Sequence, residues 1–139
     1  MNSYLGMDLG ETTLGLAVNI GNCVILLKPI YYKVGDFKFV LNELESIFER
    51  YDIKKIVIGN PIIENITSKI SNMVKYFSVL LESKFNIKVY TINENFTTKI
   101  AKNIYFQSNK NNKLKNFNKI KDSFAAKIIL EEFIKNYRN

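Results

Sequence analysis

Tyr4-Leu5-Gly6-Met7-Asp8-Leu9-Gly10-Glu11-Thr12-Thr13-Leu14-Gly15-Leu16-Ala17-Val18 is the stretch from which the fold reads outward. Tyr4 to Met7 is an apolar segment running into Asp8, Gly10 to Thr13 is a turn, and Leu14 to Val18 resumes as a second strand. Ile20-Gly21-Asn22 marks a further turn, and Val24 to Leu27 is a third strand that Pro29 is expected to end. Three short strands joined by tight turns predict an antiparallel meander.

The pattern then changes period. Asp36 is placed to cap a helix on which Val40, Leu41, Leu44, Ile47, Phe48 and Tyr51 fall at helical spacing. Lys55 to Gly59 reads as a buried strand. Thr67 caps a second helix with Ile70, Met73, Val74, Phe77, Leu80 and Leu81 on its apolar face, and Lys88 to Ile92 is a fifth strand. A short helix is expected over Thr97 to Tyr105. Gln107 to Lys121, rich in Asn and Lys, reads as a mobile basic loop. A last helix is expected from about Asp122, with Ala125, Ala126, Ile129, Leu130, Phe133 and Tyr137 on one side. Strands alternating with helices imply parallel strands covered by helices. The expectation is one α/β domain over residues 1–139, with a mixed five-stranded sheet flanked by helices.

Composition narrows the chemistry. The chain of 139 residues is 47% hydrophobic, enough to fill a real core, and no apolar run is long enough to cross a bilayer. Met1-Asn2-Ser3-Tyr4 has no basic stretch leading into an apolar segment, so it does not read as a signal peptide, and a cytoplasmic location is expected. The single cysteine, Cys23, cannot form an internal disulfide and reads as a buried structural thiol. There is no histidine. Histidine triads, histidine general bases and ordinary zinc sites are therefore out. Any chemistry falls to carboxylates, hydroxyls, lysines or a hard cation held by oxygen ligands. A net charge of +7 favours a polyanionic partner, though only weakly.

Asp8 after the first strand, Glu94 after the fifth and Asp122 at the start of the last helix are the candidate catalytic and metal-holding carboxylates. In α/β sheets, sites form outside the carboxyl ends of the parallel strands. If the first and fifth strands were neighbours, Asp8 and Glu94 would meet there, and a helix packed across that end would add Asp122. Three close carboxylates repel one another unless cations lie between them, so such a cluster would hold Mg²⁺ or Mn²⁺, two ions being expected. Two metals suffice for phosphodiester hydrolysis without histidine. The plain alternatives are a turn-forming Asp8, a solvated Glu94 and a helix-capping Asp122. Gly6 and Gly15 read as packing glycines, and Ser123 as a helix cap, with orientation of Asp122 as the alternative. Thr12 and Thr13 are either phosphate contacts or simple turn residues. Lys113, Lys115 and Lys119, inside a cluster running from Lys99 to Lys121, are candidate phosphate contacts, with a solvated loop as the alternative.

Four segments in order carry a family resemblance. Gly6-Met7-Asp8-Leu9-Gly10-Glu11-Thr12-Thr13-Leu14-Gly15-Leu16-Ala17, Ile58-Gly59-Asn60-Pro61, Glu94 with Phe96-Thr97-Thr98 and Ala101, and Lys121-Asp122-Ser123-Phe124-Ala125-Ala126-Lys127-Ile128-Ile129-Leu130 resemble the motifs of the YqgF-type nucleases. These are also described as Holliday junction resolvase-like, or as pre-16S rRNA nucleases. The resemblance implies an RNase H-like fold and a nucleic-acid partner, foremost precursor ribosomal RNA; a monomer or a homodimer is expected. Asp8, Glu94 and Asp122 match the family's acidic positions. Thr13 stands where the family often has Arg, Asn93 and Asn95 flank Glu94 in place of Asp and Arg, and Lys121 replaces a common His. The missing arginines put substrate grip in more doubt than metal binding. Asn95 is retained as a candidate substrate contact. The rivals are a junction resolvase acting on DNA and a non-catalytic RNA-binding protein of the same fold. A third, an ATPase, rests on the likeness of Asp8 to Thr13 to the first phosphate motif of sugar kinases and actin-like proteins. Those proteins need two such domains.

Overall fold

The meander forms as expected. In a computed structural model that describes residues 2–61, 69–94 and 114–137 (backbone alone at Glu94 and over 114–121), the first strands are β1 (Ser3–Leu9), β2 (Thr13–Ile20) and β3 (Cys23–Tyr31). β1 pairs antiparallel with β2, and β2 with β3. Then follow α1 (Phe37–Arg50), β4 (Ile53–Pro61), α2 (Lys69–Phe85), β5 (Val89–Glu94) and α3 (Leu114–Tyr137). β4 pairs parallel with both β1 and β5, giving one five-stranded sheet in the order β3-β2-β1-β4-β5. The mixed α/β sheet expected from the sequence is present.

Side-chain alternation divides the sheet into two faces. Leu5, Met7 and Leu9 of β1 join Leu14, Leu16 and Val18 of β2 in a core closed by α1 and α2. α1 is capped by Asp36, whose carboxylate accepts from the Phe39 N–H at 3.3 Å, and it buries Phe37, Val40 and Leu44. α2 buries Val74, Phe77 and Leu81. Phe48 and Phe85 stack with centroids 3.9 Å apart. On the opposite face Ala17 and Val57 meet Ala126, Ile129, Leu130 and Phe133 of α3.

The residues facing α3 are small for a reason. A Cβ built on Gly6 would lie 2.8 Å from both the Ala126 carbonyl oxygen and Leu130 Cβ. One built on Gly15 would lie 1.8 Å from the Asp122 carbonyl oxygen. The helix backbone therefore sits directly on the strands. Ser123, fully buried, joins them: its Oγ accepts from the Leu16 N–H at 3.0 Å and donates to the Leu27 carbonyl at 2.7 Å. Ser123 is thus a tie between the helix and the strands, where a cap had been the expectation.

Several expectations need correction. Pro29 does not end the third strand. β3 runs on to Tyr31, because it is an edge strand and its register with β2 shifts between Leu14↔Ile30 and Leu16↔Leu27, an irregularity that tolerates a proline. Cys23 is exposed, being the first residue of that edge strand. Helix α3 begins at Leu114, so residues 114–121 of the expected loop are helical. No Pro or Gly interrupts Gln107 to Lys121, and Leu114, Phe117, Ile120 and Phe124 recur every three to four residues. The remainder of that loop and the expected helix over Thr97 to Tyr105 lie outside the described residues, as does the Thr67 cap.

Two outcomes follow from this packing. Gly15→Ala is expected to cost about 3 kcal/mol, the upper end of overpacking, in urea unfolding. A loss below about 0.5 kcal/mol, the scale of an ordinary surface change, would mean that α3 docks elsewhere. Ser123→Ala leaves a buried N–H without its acceptor and a carbonyl without its donor, and is expected to cost about 1–3 kcal/mol in the same measurement.

Candidate active site

Asp8 lies inside β1, not after it, and pairs across the sheet with Gly15 of β2. It shares strand parity with Gly6, the residue beneath Ala126 and Leu130, and so belongs to the α3 face. The Asp122 carbonyl oxygen occupies the space that a Gly15 side chain would fill. The absence of one Cβ thus brings the Asp122 main chain onto the cross-strand neighbour of Asp8. Both residues are partly buried. Asp122 is the ninth residue of α3, not its cap, so the capping alternative fails.

Glu94 is the last residue of β5 and pairs with Pro61. The first and fifth strands are not neighbours, because β4 lies between them. The expected direct meeting of Asp8 with Glu94 across one strand pair is therefore corrected to a two-strand step, roughly 10 Å between strand axes. All three parallel strands nevertheless end on the same side of the sheet. Parity puts position 94 with Tyr90 and Ile92, both of which pack towards α3. The side chain of Glu94 is outside the described residues, so its place among the carboxylates is an expectation. Among the described residues no group of three or more Asp, Glu, His or Cys is gathered.

The turn beside Asp8 is pinned from several directions. The Gly10 N–H donates to the Thr13 carbonyl at 2.8 Å, and the Tyr32 N–H to the Thr12 carbonyl at 2.9 Å. The Tyr32 hydroxyl donates to the Gly10 carbonyl. Burial, reinforced by the nearby Glu11 carboxylate, pushes the Tyr32 phenol up to about 12, so it stays a donor at any physiological pH. Glu11 pairs with Lys69 at 3.1 Å on the surface, a contact that contributes little in water. Thr12 is exposed and Thr13 opens β2. Lys115 and Lys119 fall within α3, while Asn95 and Lys113 lie outside the described residues.

Tyr31 was not singled out by the sequence. Its hydroxyl donates to Asp122 Oδ2 at 3.1 Å. Partial burial, then the hydrogen bond to Asp122 and its negative charge, raise the Tyr31 phenol above its usual value. Nothing in the local sequence could have found this contact, since the two residues are 91 positions apart.

The candidate carboxylates offer only oxygen donors, which suits a hard divalent cation and not a soft one. Asp8 and Asp122 are brought to one face at the carboxyl end of β1.

Comparison with known proteins places this arrangement. A family model described as "RuvX: Holliday junction resolvase" matches residues 2–136. A protein of Aster yellows witches'-broom phytoplasma named "Putative pre-16S rRNA nuclease" is 37% identical, the match covering 96% of this chain and 89% of that one. A Mycoplasma mobile protein of the same name is 33% identical, covering 96% and 92%. Among solved structures, Thermus thermophilus RuvC in complex with a Holliday junction substrate superposes with a TM-score of 0.63 at 14% identity, covering 97% of this chain and 96% of that one. The fowlpox virus Holliday junction resolvase superposes at 0.58 and 15% identity, covering 96% and 97%. These two likenesses establish the RNase H-like fold that the sequence resemblance implied. By its family match across nearly its whole length, the chain belongs to the RuvX, or YqgF-type, Holliday junction resolvase family.

Proposed function

We propose that this chain is a metal-dependent nuclease that hydrolyses phosphodiester bonds, with precursor ribosomal RNA as substrate and the 5′ end of 16S rRNA as the place of action. The observation that carries this is the stacking of the Asp122 main chain on Gly15, the cross-strand partner of Asp8. It supplies two carboxylate residues to one face of the sheet, in a family whose relatives are named for a nuclease. The whole of residues 1–139 is read as a single domain. The setting is read as the cytoplasm. Among the described residues no helix is long and apolar enough to cross a membrane.

Asp8 and Asp122, with Glu94 as the third, hold the cations. Their negative charges repel when brought together, and that repulsion is what a bound cation relieves. A pair of Mg²⁺ or Mn²⁺ ions, when bound by these carboxylates, would supply an activated water and charge stabilisation for the leaving oxygen. The chain's own part is to fix the carboxylates and grip the phosphates. Positions 115, 119 and 122 recur at i, i+4 and i+7, which is one face of an α-helix. Lys115 and Lys119 thus occupy helix positions on the same face as position 122, and with Lys113 they are read as the groups that neutralise phosphates beside the scissile bond. Thr12, Thr13 and Asn95 complete the substrate contacts.

The printed description of the family favours a second reading, resolution of DNA four-way junctions. That reaction needs two active sites, so it requires a dimer, whereas RNA cleavage is open to a monomer or a homodimer. A strict monomer in sedimentation, both alone and on a four-way junction, would count against the junction reading.

Cleavage of a structured RNA carrying a 16S leader is expected to require Mg²⁺ or Mn²⁺, to stop on chelation, and to fall at least about 100-fold in Asp8→Asn, the scale of losing one preorganised charge-stabilising group. Equal cleavage by wild type and Asp8→Asn would sink the assignment. Replacing Lys113, Lys115 and Lys119 together with Ala is expected to flatten the log–log salt dependence of RNA binding by about 2, given roughly 0.7 per phosphate contact on single strands. An unchanged slope would remove these lysines from the interface.

A further inference from the structure

Tyr31 ends β3 and pairs with Thr13, the first residue of β2. It is 51% exposed, so burial of its ring does not explain its place. The hydroxyl reaches from the edge strand to Asp122 on α3. The main chain at that point is already locked, because the adjacent Ser123 bridges Leu16 and Leu27. What is left free at Asp122 is rotation of its own side chain, and Tyr31 acts on that freedom.

We propose that Tyr31 is a positioning residue for the divalent-cation site, its hydroxyl donating to Asp122 Oδ2 and holding the carboxylate in one rotamer with Oδ1 left for the cation. This rests on the reading of Asp122 as a metal ligand. The chemistry of the donor matters. A lysine or arginine at this place would also hold the carboxylate, but it would cancel the charge that attracts the cation. A phenol is a neutral donor, and a hydrogen bond to a charged acceptor is stronger than one between neutral groups. The carboxylate is oriented and keeps its full charge. Partners of this outer kind set the geometry of metal-binding side chains, and their loss typically weakens metal affinity or activity about 10–100-fold.

The test uses the full chain as wild type, Tyr31→Phe and Asp122→Asn. Mn²⁺ binding is measured by calorimetry, RNA cleavage is followed across a Mn²⁺ titration, and the Tm is taken without metal. Tyr31→Phe keeps the ring and removes only the donor. It is expected to raise the Kd for Mn²⁺ about 10-fold. Cleavage should drop in proportion at limiting Mn²⁺ and return to the wild-type rate at saturating Mn²⁺, with the metal-free Tm unchanged. If Tyr31→Phe binds Mn²⁺ like wild type while Asp122→Asn does not, Tyr31 has no such role and the metal site stands. A rate loss that excess Mn²⁺ does not restore, or a matching fall in Tm, overturns positioning in favour of a structural role. If Asp122→Asn binds Mn²⁺ like wild type, the ligand reading itself fails and the proposal goes with it.

Discussion

How closely α3 can approach β1 and β2 governs everything on that side of the sheet. Ordinary helix–sheet packing keeps the two backbones apart by a layer of side chains, as α1 and α2 show on the other face with Phe77, Leu5, Met7 and Leu44. At Gly6 and Gly15 that layer is missing, and helix atoms fill the space where Cβ atoms would be. Close contact between backbones strands polar groups unless they find partners. Ser123 answers this by taking the Leu16 N–H and the Leu27 carbonyl into its own hydroxyl. The two glycines and the serine are one device: the first two admit the helix, and the third joins it to two strands.

The candidate site inherits its geometry from that device. Asp122 precedes Ser123 and faces the strand position opposite Asp8. One carboxylate residue is thus carried on the helix and the other on a central strand, on the same face of the sheet. Among the described contacts around the candidate site are two neutral phenol donors. Tyr31 meets Asp122, and Tyr32 meets the Gly10 carbonyl of the neighbouring turn. The described ion pairs, such as Lys69 with Glu11, lie at the surface, where water already screens them.

The corrections show where local pattern stops being informative. A stretch dense in Asn and Lys looked like a loop, yet residues 114–121 are helical. The apolar spacing of three to four residues from Leu114 to Phe124 is the helical signal in that stretch. Pro29 looked like a strand end, but an edge strand with a register shift has no need of the missing N–H. Cys23 precedes an apolar run, a setting that suggests burial. Edge strands bury only part of their apolar residues, and its first position is exposed.

By itself the sequence determined the meander, the alternation of strands with helices, the helix faces of α1 and α2, and the exclusion of histidine chemistry. These depend on period and composition, which act over a few residues. It also marked Asp8, Glu94 and Asp122, through motif order and resemblance. Only the tertiary structure decided that β4 separates β1 from β5, that Asp122 lies within a helix and not at its start, that Ser123 ties three elements together, and that Tyr31 reaches a carboxylate 91 residues away. Strand order and helix docking are settled by contacts between distant segments, and no local period encodes which distant partner a side chain will meet.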